Sequence, residues 1–102
     1  MKNFRTYQLA KHFRVEVLRM NLKGNMKDQA DRASLSIILN LAEGSAKTGA
    51  KDRRRFFLMA MGSLRECQAL IEITNHTELT KLVDQLGGSI NKLCKNPGPG
   101  FV

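Results

Sequence analysis

Residues 40–57 read "NLAEGSAKTGAKDRRRFF", and how this stretch is read decides the fold. Glu43 closes an apolar run, a small-residue loop with two glycines follows, and three arginines lead into two phenylalanines. The stretch is a phosphate-cradling loop, a catalytic loop or a basic hairpin between two helices. "GSAKTG" (44–49) lacks the Gly-Lys-Ser/Thr ending of a phosphate-binding loop and follows a helical pattern rather than a strand, which sets the first option aside. The flanks favour the hairpin. Upstream, Ala33, Leu35, Ile37, Ile38, Leu39, Leu41 and Ala42 make a helix apolar nearly all round. Its polar residues Arg32, Ser36, Asn40 and Glu43 are spaced four, four and three along one face. Downstream, Phe56, Ala60, Ser63, Cys67 and Ile71 recur at threes and fours as a core row, beside a second row of Arg55, Met59, Gly62 and Glu66.

If residues 44–50 turn the chain back, these helices are antiparallel, and residues whose numbers share a constant sum face each other. Arg32 with Glu66, Ser36 with Gly62 and Glu43 with Arg55 fall in one such register. Partly buried carboxylate–guanidinium pairs add little net stability but penalise wrong registers, because breaking one leaves a charge whose burial costs about 3–5 kcal/mol. Arg32–Glu66 and Glu43–Arg55, with Asn40 on the same stripe, are therefore expected to be structural polar pairs.

Working outward, prolines occur only at positions 97 and 99, and no β-branched clusters alternate with period two. Four segments carry helical periodicity: 5–22, 27–43, 51–75 and 78–95. The first places Leu9, Phe13, Val17 and Met20 on one face and Tyr7, Val15, Leu18 and Leu22 on another, which is either a broad core stripe or a subunit interface. The last carries Leu79, Leu82, Leu86, Ile90 and Leu93, with Thr77 as its expected N-cap. Gly87-Gly88 within it costs about 2 kcal/mol of helix propensity and implies a close helix contact or a break. Short connections make neighbouring helices antiparallel. The expected fold is all-α, an up-and-down antiparallel four-helix bundle over residues 1–96 with a flexible tail at 97–102.

At 102 residues the chain has room for one core. Its 17 basic and 9 acidic residues leave a net charge of +8, which favours an anionic partner. Cys67 and Cys94 have no Cys-x-x-Cys spacing and read as buried thiols of a reducing compartment, with a disulfide as the alternative. The N-terminal residues lack the apolar core of a signal peptide, and no apolar run approaches the ~20 residues that span a bilayer. A cytoplasmic protein with no membrane partner is expected.

Chemistry is sparse. His12 and His76 have no carboxylate or cysteine at ligand spacing, so no metal is expected. No serine stands in a Gly-x-Ser-x-Gly context, and Glu43 and Glu66, each assigned an arginine, stay ionised and make poor acids. The expectation is no enzyme, no catalytic residue and no cofactor. Lys47, Lys51, Arg53 and Arg54 instead crowd the loop and the start of the third helix, where the helix dipole favours an anion. Arg55 already has a partner in the hairpin register, whereas Arg53 and Arg54 do not. These four are the candidate nucleic-acid-binding residues. Aromatics are few, so contact with phosphates or with folded RNA shape is expected rather than base stacking.

The stretch 32–73 resembles the four-helix-bundle proteins encoded in intervening sequences of bacterial large-subunit (23S) ribosomal RNA genes. Arg32-Ala33, Ser36-Ile37, Asn40-Leu41-Ala42-Glu43-Gly44, Arg55-Phe56 and Ala60-x-Gly62-Ser63-Leu64-x-Glu66 carry the likeness. It extends through "YQLAKHF" (7–13) and "LVDQLGGSINKLCK" (82–95). Where that family often has a proline this chain has Ile38, implying a straighter second helix. The resemblance implies an up-and-down bundle, a homopentameric ring with a basic surface or channel, and no catalytic residues. It also implies structured RNA or DNA as partner, or a protein partner, since related bundles are accessory proteins of diversity-generating retroelements and their reverse transcriptases.

Overall fold

The structure is a computed structural model and describes residues 4–98. Four helices follow one another: α1 (Arg5–Leu18), α2 (Gly24–Ala46), α3 (Ala50–Ile73) and α4 (Thr80–Lys95), the last preceded by a short 3₁₀ turn at Thr77–Leu79. Consecutive helices pack against each other and α1 closes on α4, giving an all-α four-helix bundle measuring 39 × 23 × 22 Å. Its centre holds Phe13 from α1, Ile37 and Leu41 from α2, Phe57 and Leu64 from α3, and Leu86 and Ile90 from α4, all fully buried.

Helix ends differ from the sequence reading for local reasons. The first helix stops at Leu18 rather than 22, because Arg19 and Met20 donate to the carbonyls of Glu16 and Val17 and tighten the last turn. Gly24, at φ 57°, then redirects the chain into α2, which begins earlier than 27. The third helix ends in a two-bond cap: His76 N–H donates to Ile71 and Asn75 N–H to Glu72, with Asn75 left-handed at φ 59°. Thr77 makes no side-chain cap bond; it opens the 3₁₀ turn instead.

Two glycine readings are also corrected. Gly44 does not end α2, which runs on to Ala46. A Cβ at Gly44 would lie 2.7 Å from the Phe57 ring, so this glycine lets α3 approach α2 closely. That contact also shifts the aromatic core residue by one position: Phe57 is buried, while Phe56 is half-buried at the surface. Gly87-Gly88 neither breaks α4 nor marks a tight contact. A Cβ at Gly87 would meet Leu64 at an ordinary 3.5 Å, and one at Gly88 would meet nothing within 4 Å.

The α2 surface is less enclosed than its composition suggests, with Leu35 and Leu39 exposed, as are Val15 and Leu18 on α1 and Leu58 and Met59 on α3. Of the tail set at 97–102, residues 99–102 lie outside the described range. Pro97 is buried, and its carbonyl accepts a hydrogen bond from Arg53.

Candidate functional site

The α2–α3 hairpin carries the polar stripe, and the structure brings together part of it. Arg32 Nη2 lies 2.6 Å from Glu66 Oε2. Both side chains are about half exposed, so the pair is a surface ion pair rather than a partly buried one. One turn on, Ser63 Oγ donates to Ser36 Oγ at 2.8 Å, and Asn40 Nδ2 donates to the Ser36 carbonyl and hydroxyl. Ser36 thus faces Ser63 rather than Gly62. The register drifts as the helices cross, and Gly44 meets Phe57 near the loop.

Glu43 and Arg55 are not brought together. Glu43 pairs with Lys47 at 3.1 Å within its own helical end, and Arg55 pairs with Asp52 at 3.0 Å within α3. The Phe56 ring stands between the two pairs, with the Lys47 ammonium 5.2 Å and the Arg55 guanidinium 4.5 Å from its centroid. Each charge has a partner three or four residues away at less entropic cost than a reach across the hairpin.

The two arginines expected to be free hold the backbone. Arg53 is 3% exposed; its Nη1 donates to the carbonyls of Lys47 (3.1 Å) and Thr48 (2.6 Å), and its Nε to that of Pro97 (3.3 Å). Arg54 stays exposed but gives its Nε to the Cys94 carbonyl at 2.7 Å. Both side chains leave the first turns of α3 and serve the C-terminal ends of α2 and α4, where carbonyls lack partners and the dipole is negative. Arg53 is therefore a buried structural residue with no guanidinium to offer a ligand. Of the four candidates, Lys51 is exposed without a partner among the described residues, and exposed Arg54 commits only its Nε, to Cys94. Both line a shallow groove of about 770 Å³ with Gly49, Asp52, Arg55 and Leu58.

Sequence spacing did not show the distribution of charge, because the fold makes it. The antiparallel topology gathers the start of α1, the end of α2, the start of α3 and the end of α4 in one half of the bundle. Among the described residues, that half holds nine cations (Arg5, Lys11, Lys47, Lys51, Arg53, Arg54, Arg55, Lys92, Lys95) against Glu43 and Asp52. The other half balances Arg14, Arg19, Lys23, Lys27, Arg32, Arg65 and Lys81 against Glu16, Asp28, Asp31, Glu66, Glu72, Glu78 and Asp84. A second residue missed in the sequence is Arg14, which binds the Asp31 carboxylate and carbonyl at 2.6 Å each and the Ser34 hydroxyl at 3.2 Å, fastening α1 to α2.

Neither thiol is a ready nucleophile at neutral pH. Burial pushes Cys67 up to about 12, reinforced by Glu66 and opposed by Arg32 and Arg14. Burial also raises Cys94, against the nearby Arg54 charge. Among the described residues, no group of three or more His, Cys, Asp or Glu is placed to hold a metal ion, and no helix is long and apolar enough to cross a membrane.

The model of the family described as 23S rRNA-intervening sequence protein matches residues 2–96, nearly the whole chain. No curated protein and no solved structure matches it. The chain belongs to the 23S rRNA-intervening sequence protein family.

Proposed function

Given that membership, we propose that the protein is a non-enzymatic, cytoplasmic bundle that binds structured RNA or DNA through the basic half of its surface. One observation carries the reading: among the described residues, nine cations stand against two carboxylates in one half of a 39 Å molecule whose other half is balanced. A field of that shape attracts a polyanion and orients it toward one end. Lys51 and the terminal nitrogens of exposed Arg54 are the contacts nearest the α2–α3 loop, with Lys47 restrained by Glu43 and Arg53 withdrawn.

Assembly belongs to the same reading. Val15 and Leu18 on α1, Leu35 and Leu39 on α2 and Leu58 and Met59 on α3 are apolar and 40–57% exposed, which favours a homo-oligomer, with a pentameric ring as the form proposed. Repetition around a ring would multiply weak phosphate contacts. Those apolar faces also support the rival reading, a scaffold or accessory protein for a protein partner such as a reverse transcriptase. A gene within a ribosomal RNA operon would favour the first and a neighbouring reverse-transcriptase gene the second.

The test is a salt titration of affinity for structured RNA and duplex DNA, wild type against Lys51→Gln/Arg54→Gln. Binding is expected to weaken in the variant, with the salt slope reduced by up to about one phosphate contact per cation removed. Wild-type protein that binds neither ligand at low salt would hand the surface to the scaffold reading. Light scattering showing a stable 11.5 kDa species would remove the ring.

A further inference from the structure

The packing of α1 on α4 leaves a cleft of about 530 Å³ on the flank of the basic half, within the size range of small-molecule sites. Its floor is the hydrogen-bonded hydroxyl pair of Thr6 and Ser89, 2.5 Å apart. That pair fixes the antiparallel level of the two helices, so the other lining residues fall in order along the cleft. Arg5 and Lys92 stand at the end nearest the basic pole, and Asp84 and Gln85 at the end nearest the middle of the bundle, with Leu9 as an apolar wall beside them. None of the four polar side chains has a partner among the described residues.

Gly88 lines the same cleft. It is a helix-interior glycine that no backbone conformation or tight contact requires, since a Cβ there would meet nothing within 4 Å. Packing does not account for it, whereas a space kept open for a ligand does.

The two ends of the cleft differ in sign, which selects the ligand. A lone inorganic anion would use Arg5 and Lys92 but leave Asp84 unpartnered. A ligand that satisfies both ends is anionic at one end and presents N–H donors at the other. Gln85 and Lys92 lie seven positions apart on α4, which separates those ends by about 10 Å of helix, the reach from the phosphate of a nucleotide to the edge of its base.

We propose that this cleft binds one nucleotide unit. The phosphate lies on Arg5 and Lys92, the base packs on Leu9, and its edge donates to Asp84 and Gln85. Guanine fits the carboxylate best, because its N1–H and N2–H₂ groups present two donors side by side. The inference deepens the nucleic-acid reading: the nucleotide is an unpaired one of the bound strand, held beside the phosphate contacts at the basic pole.

The test follows amide resonances of the full chain during titration with guanosine 5′-monophosphate and, separately, inorganic phosphate. Saturable shifts at Thr6, Gly88 and Ser89 are expected with the nucleotide, and binding of inorganic phosphate at least about tenfold weaker. Arg5→Gln/Lys92→Gln should weaken the nucleotide about tenfold or more. Gly88→Leu, which fills the cleft without removing a charge and improves helix propensity, should abolish the shifts while helical content is unchanged. A wild type without saturable shifts, or shifts that survive Gly88→Leu, overturns the site. A second arm compares a short single-stranded RNA with the free nucleotide. Tighter binding of the strand, lost in Gly88→Leu, supports the unpaired-nucleotide assignment; equal affinity leaves the cleft as a site for the free nucleotide and overturns the strand assignment. Structured-RNA binding that persists with its salt dependence while the cleft stays silent removes this inference alone. Nucleotide binding without RNA binding removes the reading it rests on and keeps the cleft.

Discussion

The two halves of the bundle share one backbone plan and use their arginines in opposite ways. In the balanced half, three of the four guanidinium groups find carboxylates: Arg14 binds Asp31 and Arg32 binds Glu66 across helices, and Arg19 binds Glu16 at the end of α1, while Arg65 donates to Gln68. Among the described residues of the basic half, the carboxylates are Glu43 and Asp52, and Lys47 and Arg55 take them. Arg53 and Arg54 turn to backbone carbonyls at the ends of α2 and α4. Arg5, Lys51, Lys92 and Lys95 are left without partners among the described residues. The difference teaches that excess charge in a small bundle is sorted. Part of it is absorbed as helix-end donors and becomes architecture, and the remainder is what a polyanion can meet.

The largest effect expected from breaking this comparison is at Arg53. Arg53→Met removes the donor to three carbonyls at a buried position and should lower unfolding free energy by about 3 kcal/mol or more, measured in urea. The same substitution at exposed Lys51 should change stability by less than about 0.5 kcal/mol. Next is Gly44→Ala, whose methyl group would stand 2.7 Å from the Phe57 ring. A cost of about 1–3 kcal/mol is expected as α2 and α3 are pushed apart, although alanine is the better helix former. The smallest effects are in the ion pairs. A double-mutant cycle on Arg32 and Glu66 should give about 0.2–1 kcal/mol of coupling, because both groups are exposed, and one on Glu43 and Arg55 should give none.

The fold was legible because helical periodicity and the constant-sum register are one-dimensional signals. Arg32 and Glu66 meet, and Ser36 finds a hydroxyl one residue from its expected level. Glu43–Arg55 failed for a reason that the same arithmetic could not contain. A constant sum assumes parallel axes, whereas Gly44 draws Phe57 inward and leaves Phe56 between the two charges. The candidate site was legible only in part. "RRR" announces charge, but nothing in its spacing says that Arg53 folds back under the loop to reach Thr48 and Pro97, 5 and 44 residues away. Carbonyls carry no sequence signature, so a guanidinium spent on them looks free. The polarity of the bundle and the α1–α4 cleft arise from residues far apart in the chain, and they come into view only when antiparallel helix ends are stacked together.

The central claim is that one half of the surface binds a polyanion, and it is tested most directly by removing the same amount of charge from each half. Lys51→Gln/Arg54→Gln/Lys95→Gln and Lys23→Gln/Lys27→Gln/Lys81→Gln carry equal net charge, and affinity for structured RNA is measured for both across a salt series, after matching their helical content. The account predicts that the first variant loses about tenfold or more in affinity, with a salt slope smaller by up to about three, while the second stays within about twofold of wild type. Equal losses in the two variants would mean that RNA responds only to net charge, and the claim of a binding end would be contradicted.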